Sequence, residues 1–390
     1  MADFAAEVRR LMQERGLSLR KLGREADYDP SHLSKVLNGR KPCGAQLAER
    51  LDDVLGAGGK IRTAAATAFN GSLPPADRDR LDWSSRHPGH ADALAADALA
   101  GVLAAQRLLE DRVGAAPMLA AVSAQVGAAE AIAADAPAAV RSRLLDIAAQ
   151  YGSFLGWLNE ATEHLPQAVQ AYDRSLGQAA EVGDASLVSE MLSMKGHVAW
   201  ARRDPAEVVR LSQAAQRDPA AHPGQHAISA MQEARALAVL GDTAEVGRKL
   251  ADADRAALAA ERRADDRPPW LYYHSDGFFE VQRGRAWLHL GERHPAFNRK
   301  AVDALTAGIE QLDETASGSE WAASYRLHLA RAYMQAGDAE QAAAVALDVA
   351  RRARSLPSAP LLVAARGLYR EMRRRWPGYR PVADLGSALR

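Results

Sequence analysis

The sequence predicts an all-α protein: a small N-terminal bundle of four to five helices, followed by an α-solenoid of helical hairpins. Three observations predict it. Apolar residues recur at three- and four-residue spacings along most of the chain, and the alternation expected of strands is absent. Beyond Leu81 alanine and leucine dominate, and Pro or Gly interrupts the apolar runs about every 15 to 20 residues. At 390 residues the chain is too long for one compact core unless it is a repeat array. The composition places a first domain at 1–60, a linker at 61–80 and the array at 81–390.

In the bundle, Phe4, Val8, Leu11 and Met12 form one apolar stripe. The first helix therefore runs from Phe4 to Arg15, with Arg9, Arg10 and Arg15 mostly off the stripe. Gly16 suits a left-handed cap at its end. Ser18 can cap the second helix, whose inner face is Leu19, Leu22 and Ala26. Asp29 can cap the third, and Pro30 suits its first position because no donor is needed there. The third helix, Pro30 to Leu37, buries Leu33 and Val36 or Leu37 and turns Ser31, His32, Ser34 and Lys35 outward. Asn38-Gly39 ends it. A fourth helix, Ala45 to Leu55, returns Leu47, Leu51, Val54 and Leu55 to the bundle. Two short helices joined by a tight turn, the second one exposed, are a device for placing side chains in the DNA major groove.

Leu-Arg-Lys-Leu at 19–22, Pro-Ser-His-Leu-Ser-Lys at 30–35 and Asn-Gly-Arg-Lys-Pro at 38–42 resemble the Cro/CI-type (XRE) helix-turn-helix family. The resemblance covers about the first 60 residues and implies a sequence-specific DNA-binding transcriptional regulator. Carried over by position, Ser31 and Lys35 face base edges, with His32 and Ser34 beside them. Arg20, Asn38, Arg40 and Lys41 then lie near phosphates. The family often has Gln at the start of its second helix, against a phosphate. Leu19 stands there here, and Arg20 is the side chain that can substitute. Charge agrees: from Arg9 to Lys41 there are nine Lys or Arg against Glu14, Glu25, Asp27 and Asp29, a local +5 in a chain of formal net charge zero. DNA affinity comes largely from neutralised phosphates, so this local excess matters more than the net value. The plainer reading is a small helical bundle with a solvated basic face.

Gly56-Ala57-Gly58-Gly59 and Asn70 to Pro75 break the chain, with a short helix expected around Thr63 to Phe69. Gly59-Lys60 lacks the earlier glycine and the hydroxyl residue of a phosphate-binding loop. Three alanine-rich helices follow at about 91–112, 115–135 and 138–161. Then a repeat begins. Leu155-Gly156-Trp157, Lys195-Gly196-His197, Glu233-Ala234-Arg235, Arg283-Gly284-Arg285 and Leu329-Ala330-Arg331 align. Each is followed by a turn, at Glu163-His164, Arg203-Asp204, Gly241-Asp242, Gly291-Glu292 and Gly337-Asp338, and then by a second amphipathic helix. Residues 255–275 and 293–300 read as insertions. Small residues at the crossing and Gly-Asp turns resemble the tetratricopeptide repeat, best at Tyr325 to Ala350 and Ala227 to Ala253, although every period exceeds the family's ~34 residues. A generic α-solenoid is the alternative. Both stack helix pairs into a curved array with a concave surface.

The first helix of each pair lines that surface. Trp157, His197, Arg235, Arg285 and Arg331 take one equivalent inward position. Glu160, Trp200, Leu288 and Met334 take the next, joined by His289 and Gln335. Arginine forks suit carboxylates, and aromatic faces suit apolar groups or peptide side chains. The pattern therefore admits a peptide or small anionic ligand. It equally admits arginines paired with acids such as Glu190, Glu233 or Glu280. The aromatic run Pro268 to Phe279 either borders the groove or forms core where repeats meet.

One cysteine, Cys43, excludes a disulfide framework and a multi-cysteine zinc site. His87/His90 and His222/His226 have loose metal-ligand spacing but no completing ligand, so no metal or cofactor is expected. His274-Ser275-Asp276 is contiguous, unlike a triad assembled by the fold, and no enzymatic constellation is present. No secretory signal and no stretch of ~20 apolar residues argue for a soluble cytoplasmic protein, associated with the nucleoid and not with membrane. The architecture resembles actinobacterial XRE-type regulators with tetratricopeptide-like tails. It implies a homodimer on a palindromic operator in double-stranded DNA, with the array dimerising and sensing an effector. A likeness to peptide-pheromone receptors is architectural only. The alternative is an interaction scaffold whose repeats dock a partner protein, with the helix-turn-helix merely localising it to DNA.

Overall fold

The computed structural model describes residues 2–26, 28–37, 45–57, 60–61, 75–312, 317–355 and 359–389. Among them the secondary structure is helical, as the periodicity predicts, and the chain forms two compact units, Met1–Leu109 and Glu110–Arg390.

In the first unit, α1 (Ala2–Glu14), α2 (Leu19–Ala26), α3 (Pro30–Leu37) and α4 (Ala45–Val54) surround one apolar core. Val8, Leu22, Leu33, Leu51, Leu55 and Ile61 are all inaccessible to solvent there. Local chemistry sets each boundary. Gly16 closes α1 at φ +60°, in the left-handed region that glycine enters without a steric penalty. Ser18 Oγ accepts the Lys21 N–H at 3.3 Å at the start of α2. Asp29 Oδ1 accepts the His32 N–H at 3.0 Å at the start of α3, a cap worth about 1 kcal/mol. Between them Tyr28 N–H reaches the Gly23 carbonyl at 2.8 Å. A Cβ on Gly23 would lie 2.7 Å from the Tyr28 carbonyl oxygen, so the turn closes this tightly only over glycine. α5 (Pro75–Arg86) begins inside the stretch read as linker, and α6 (Ala93–Val113) follows. The short helix expected around Thr63 to Phe69, the Asn38-Gly39 exit and Cys43 lie outside the described residues.

The second unit continues with α7 (Leu119–Asp135) and α8 (Ala138–Ala161), the latter with the boundaries its sequence predicts. The hairpins are α8 with α9 (Leu165–Val182), α10 (Ala185–Ala201) with α11 (Pro205–Ala215), and α12 (Pro223–Leu240) with α13 (Thr243–Glu261). After them come α14 (Asp276–Gly291) with α15 (Asn298–Glu310), α16 (Glu320–Ala336) with α17 (Ala339–Ser355), and a closing pair α18 (Ala359–Arg375) and α19 (Arg380–Ala388). Partners within a hairpin pack together, and first helices pack on first helices from α8 through α16. This second contact gives the unit a continuous layer made of first helices.

The small crossing residues are explained by what meets them. A Cβ on Gly156 would overlap the Tyr172 ring, one on Gly196 the Gln232 amide, and one on Gly284 the Leu305 side chain. Seven residues later the chain turns through the left-handed region at Glu163 (φ 64°), Arg203 (61°), Gly241 (91°) and Gly337 (85°). The next residue caps the second helix at Asp204, Asp242 and Asp338, which accept the N–H groups of Glu207, Glu245 and Gln341 at 3.0, 3.1 and 3.0 Å. The fourth hairpin departs from this grammar. Gly291 is still helical, and α15 starts only after a 3-10 turn at Pro295–Phe297. There glycine serves close approach, since a Cβ would overlap Asn298 Oδ1.

Trp270, Leu271 and Phe278 of the aromatic run are core, while Tyr272 stays exposed and donates to Asp111 at 2.9 Å. Trp270 and Leu271 pack with Tyr172, Leu187 and Met191, and Phe278 joins Val281, Leu305 and Tyr325. One stretch, Ala116–Asp135, is long and apolar enough by length and composition to cross a membrane, with a third of its window buried. This corrects the expectation that no stretch reaches that length. Its apolarity comes from alanine, and it packs on α8.

Candidate nucleic-acid interface and inner face of the array

In the first unit, α2 packs on α3 and α4, and α1 packs on α3. Leu33, Val36 and Leu37 fix α3 from below. Its last carbonyl, Leu37 O, accepts from the Arg9 guanidinium at 2.8 Å, so a cation from α1 holds the C-terminal end of α3. A short helix anchored by a cap at one end and an arginine at the other is a rigid mount for side chains. Residues 3–65 match the helix-turn-helix domain family. No curated protein matches the chain.

The helix-turn-helix domain supports a DNA-binding regulator. Within it, Arg20 stands exposed on the first turn of α2, beside exposed Lys21 and Arg24. His32 and Ser34 are half-buried on α3 rather than fully outward, and the His32 ring lies 5.8 Å from that of Tyr28. Ser31 and Lys35 belong to the same helix, but their side chains lie outside the described residues, as do Asn38, Arg40 and Lys41 entirely. Arg9 is the domain residue that the apolar pattern does not single out, because a bond to a distant carbonyl leaves no periodic trace.

On the array, the inner stripe sorts into residues that meet and residues that do not. The Arg235 guanidinium lies over the Trp200 ring, 4.0 Å from its centroid, and the His289 ring contacts Trp200 at 5.1 Å. Arg285 lies 5.6 Å from the Tyr325 ring and donates to Gln282 Oε1 at 2.8 Å, while Gln282 donates to the Tyr325 hydroxyl at 2.8 Å. Glu160 accepts from the Tyr172 hydroxyl at 3.2 Å and sits 3.8 Å from His197 Nδ1. These residues come from α8, α10, α12, α14 and α16, one from each first helix or more.

The others take structural positions. Trp157, half-buried, packs against the Tyr172 cluster, and Leu288 and Met334 are buried in apolar clusters. Arg331 pairs with Glu371 at 3.1 Å. Gln335 meets Asn298, which donates to its carbonyl at 3.3 Å. The acids that the sequence offers as partners for the arginines are engaged elsewhere. Glu233 pairs with Lys249 at 2.7 Å, Glu190 accepts from Gln225 at 2.8 Å, and Glu280 pairs with Arg283 at 3.0 Å. Arg235 and Arg285 therefore have no ion-pair partner among the described residues, and the Nε of each has no hydrogen-bond partner.

Charge on this face is set by burial. Burial pushes Glu160 up to about 8, against the hydrogen bond from Tyr172 and the charge of Arg235, so its carboxyl is mostly protonated at neutral pH. Burial lowers His197 to about 3, helped by Arg235 and Arg285. It also lowers His289 and His328, with the same arginines adding to the effect. Guanidinium groups stay charged in proteins, so Arg235 and Arg285 leave this face positive. Tyr325 and His328 were absent from the sequence-derived stripe. They lie on it nonetheless, two turns and one turn before Arg331, and extending the three-residue step backwards along α16 finds them.

His87, His222, His226 and His274 have structural partners. His87 stacks on Trp83 at 3.9 Å, His222 accepts the Gly224 N–H at 3.1 Å, and His226 Nε2 is 2.9 Å from the Asp218 carbonyl. Ser275 caps α14 through the Phe278 N–H at 3.2 Å, and His274 stacks on Phe278 at 5.2 Å. Among the described residues no three metal-ligating side chains converge.

Proposed function

We propose that the protein is a sequence-specific transcriptional regulator of the cytoplasm. Its helix-turn-helix domain reads double-stranded DNA through α3. Its helical array dimerises two copies on a palindrome and binds an effector. The observation that carries the reading is the doubly anchored α3 inside a segment matching the helix-turn-helix family. Half-sites should lie about one helical turn apart, because two-fold related recognition helices meet the major groove at that spacing. An effector regulates such a dimer only by preferring one arrangement of the two heads over another.

The test is genome-wide footprinting, followed by titration of the recovered site and a random duplex. Lys35→Ala should cost about 1–3 kcal/mol on the specific site and little on the random one. Arg20→Ala should weaken both and flatten the salt dependence by about one unit. Failure of the full-length protein to retain any duplex would overturn the reading. Equal effects of both substitutions on both duplexes would reject the division between base and phosphate contacts.

A further inference from the structure

Arg235 is 4% exposed and carries a full positive charge with no ion-pair partner among the described residues; the carboxyl whose charge would offset it, Glu160, is raised to about 8 by burial. Arg285 lies nearby: His289, one turn after it on α14, contacts the same Trp200 ring that Arg235 covers, and the Arg285 charge adds to burial in lowering Arg235. Two like charges brought together in a partly dehydrated site are costly unless something negative completes them. Among the described residues no ionised acid does so, since Glu160 is held mostly protonated. Gln232 Oε1, one turn before Arg235 on the same helix, is likewise buried without a partner among the described residues. The site is still reachable. His197 keeps 31% of its side chain exposed and Trp200 is half-buried, so the inner face opens on that side.

We propose that this face is a binding site for a small organic dianion, its oxyanion groups held between the Arg235 and Arg285 guanidinium groups. Trp200 then flanks its carbon skeleton, while Tyr325, buried with Phe278 and Leu305, backs Arg285. A guanidinium offers parallel N–H donors that match the two oxygens of a carboxylate or phosphate. In both arginines the Nε is buried without a hydrogen-bond partner. Each guanidinium already covers or approaches an aromatic ring, which fixes its plane before a ligand arrives. The count of two uncompensated positive charges matches a dicarboxylate or a phosphate monoester better than a neutral peptide backbone. The proposal rests on the reading of the array as the effector-binding part, and it names the ligand's chemistry.

The experiment is calorimetric titration of the purified full-length protein, without DNA, against four probes at constant ionic strength. The probes are inorganic phosphate, glutarate, phthalate and the neutral diamide of glutaric acid. Binding of at least one dianion, a raised melting temperature in its presence and no binding of the diamide are expected. Phosphate against the two carboxylates separates the two sources of an oxyanion, and phthalate against glutarate reads the Trp200 wall. Arg235→Met and Arg285→Met should each weaken binding at least tenfold, while Arg331→Met, which removes an arginine already paired with Glu371, should leave it within twofold. Absence of binding for all dianions, binding unchanged in both Arg235→Met and Arg285→Met, or selective binding of an acidic peptide or duplex DNA to this face would overturn the proposal. A dianion that binds as described while DNA affinity stays constant would leave the site standing and remove its role as an effector site.

Discussion

Glu233 and Arg235 stand two residues apart on α12, and both are nearly excluded from solvent, at 1% and 4% exposure. Their surroundings are opposite. Glu233 faces the seam between α11, α12 and α13, where Lys249 neutralises it at 2.7 Å and Gln213 and Gln216 donate to its two oxygens at 2.9 and 2.8 Å. Arg235 faces the inner layer, where it has an indole face, a second arginine and no ion-pair partner among the described residues, the carboxyl within reach of its charge being Glu160, which burial raises to about 8. The same helix thus carries one charge completed by the fold and one left incomplete. Buried charges that serve only architecture are paired. The seam follows that rule and the inner face breaks it, and a rule broken on one face only points to function on that face.

The largest expected effect breaks this comparison if it fails. Removing one member of a buried ion pair strands the other, so Glu233→Ala should lower stability by about 3–5 kcal/mol. Arg235→Met removes a charge that no ion-pair partner completes, and should leave stability unchanged or raise it by about 1–4 kcal/mol. Urea denaturation of the two variants checks this. Equal losses would mean that Arg235 is as much a part of the architecture as Glu233, and the distinction between seam and inner face would fall.

A second effect sharpens the comparison through pH. His197 and His274 are each lowered from 6.5 to about 3, and His289 and His328 are lowered too, burial being the first cause in every case. Below pH 6.5 the unfolded chain binds more protons at these positions than the native array does, so their contribution is present above 6.5 and lost as the pH falls, down to about 3 for His197 and His274. Glu160 has the opposite sign. Its value is raised from 4.5 to about 8, so its contribution is present below 4.5 and lost as the pH rises through 8. With His222, also lowered by burial, five histidines stand against one raised carboxyl, giving a steep loss on the acid side and a shallow loss on the alkaline side. Melting temperatures between pH 4 and pH 9 should follow that asymmetry, and Glu160→Gln should abolish the alkaline decline alone. A flat profile below pH 6.5 would show these histidines to be hydrated.

The sequence carried the framework of both regions unevenly. α3 and α8 have the boundaries their sequence predicts, because Asp29-Pro30 and Pro137 are local signals that act on their own neighbours. The turns after Gly196, Ala234 and Ala330 were legible for the same reason, since a left-handed residue followed by a capping Asp needs nothing from elsewhere in the chain. The turn after Gly284 was misread. Gly291 looks like its counterparts, yet Asn298 crowds it, and that contact is made across the hairpin. The fates of Arg235, Arg285 and Arg331 could not be read from their common register either. Arg331 meets Glu371, which is 40 residues away, and the other two have no ion-pair partner among the described residues. Periodicity reports which face a side chain takes. It does not report which charge stands opposite, because that is decided by how neighbouring hairpins are offset.

The smallest effect concerns the turns, and it separates imperfect packing from functional incompleteness. Glu163 and Arg203 adopt φ of 64° and 61°, where Gly241 and Gly337 stand in the equivalent hairpins. A side chain in that region costs about 1–2 kcal/mol, whereas placing glycine there gives back about 0.4–1 kcal/mol through the freer unfolded chain. Arg203→Gly should therefore stabilise the array by less than about 1 kcal/mol, seen as a small rise in urea midpoint with an unchanged slope. Arg235→Met is also expected to hold or raise stability, so stability alone does not tell the two apart. Ligand binding does: Arg203→Gly relieves a strained turn and should leave dianion affinity at the wild-type value, while Arg235→Met should lose it. If Arg203→Gly lost affinity as well, the inner face would depend on the hairpin turn for its shape, and the incompleteness at Arg235 would no longer be a property of that face alone.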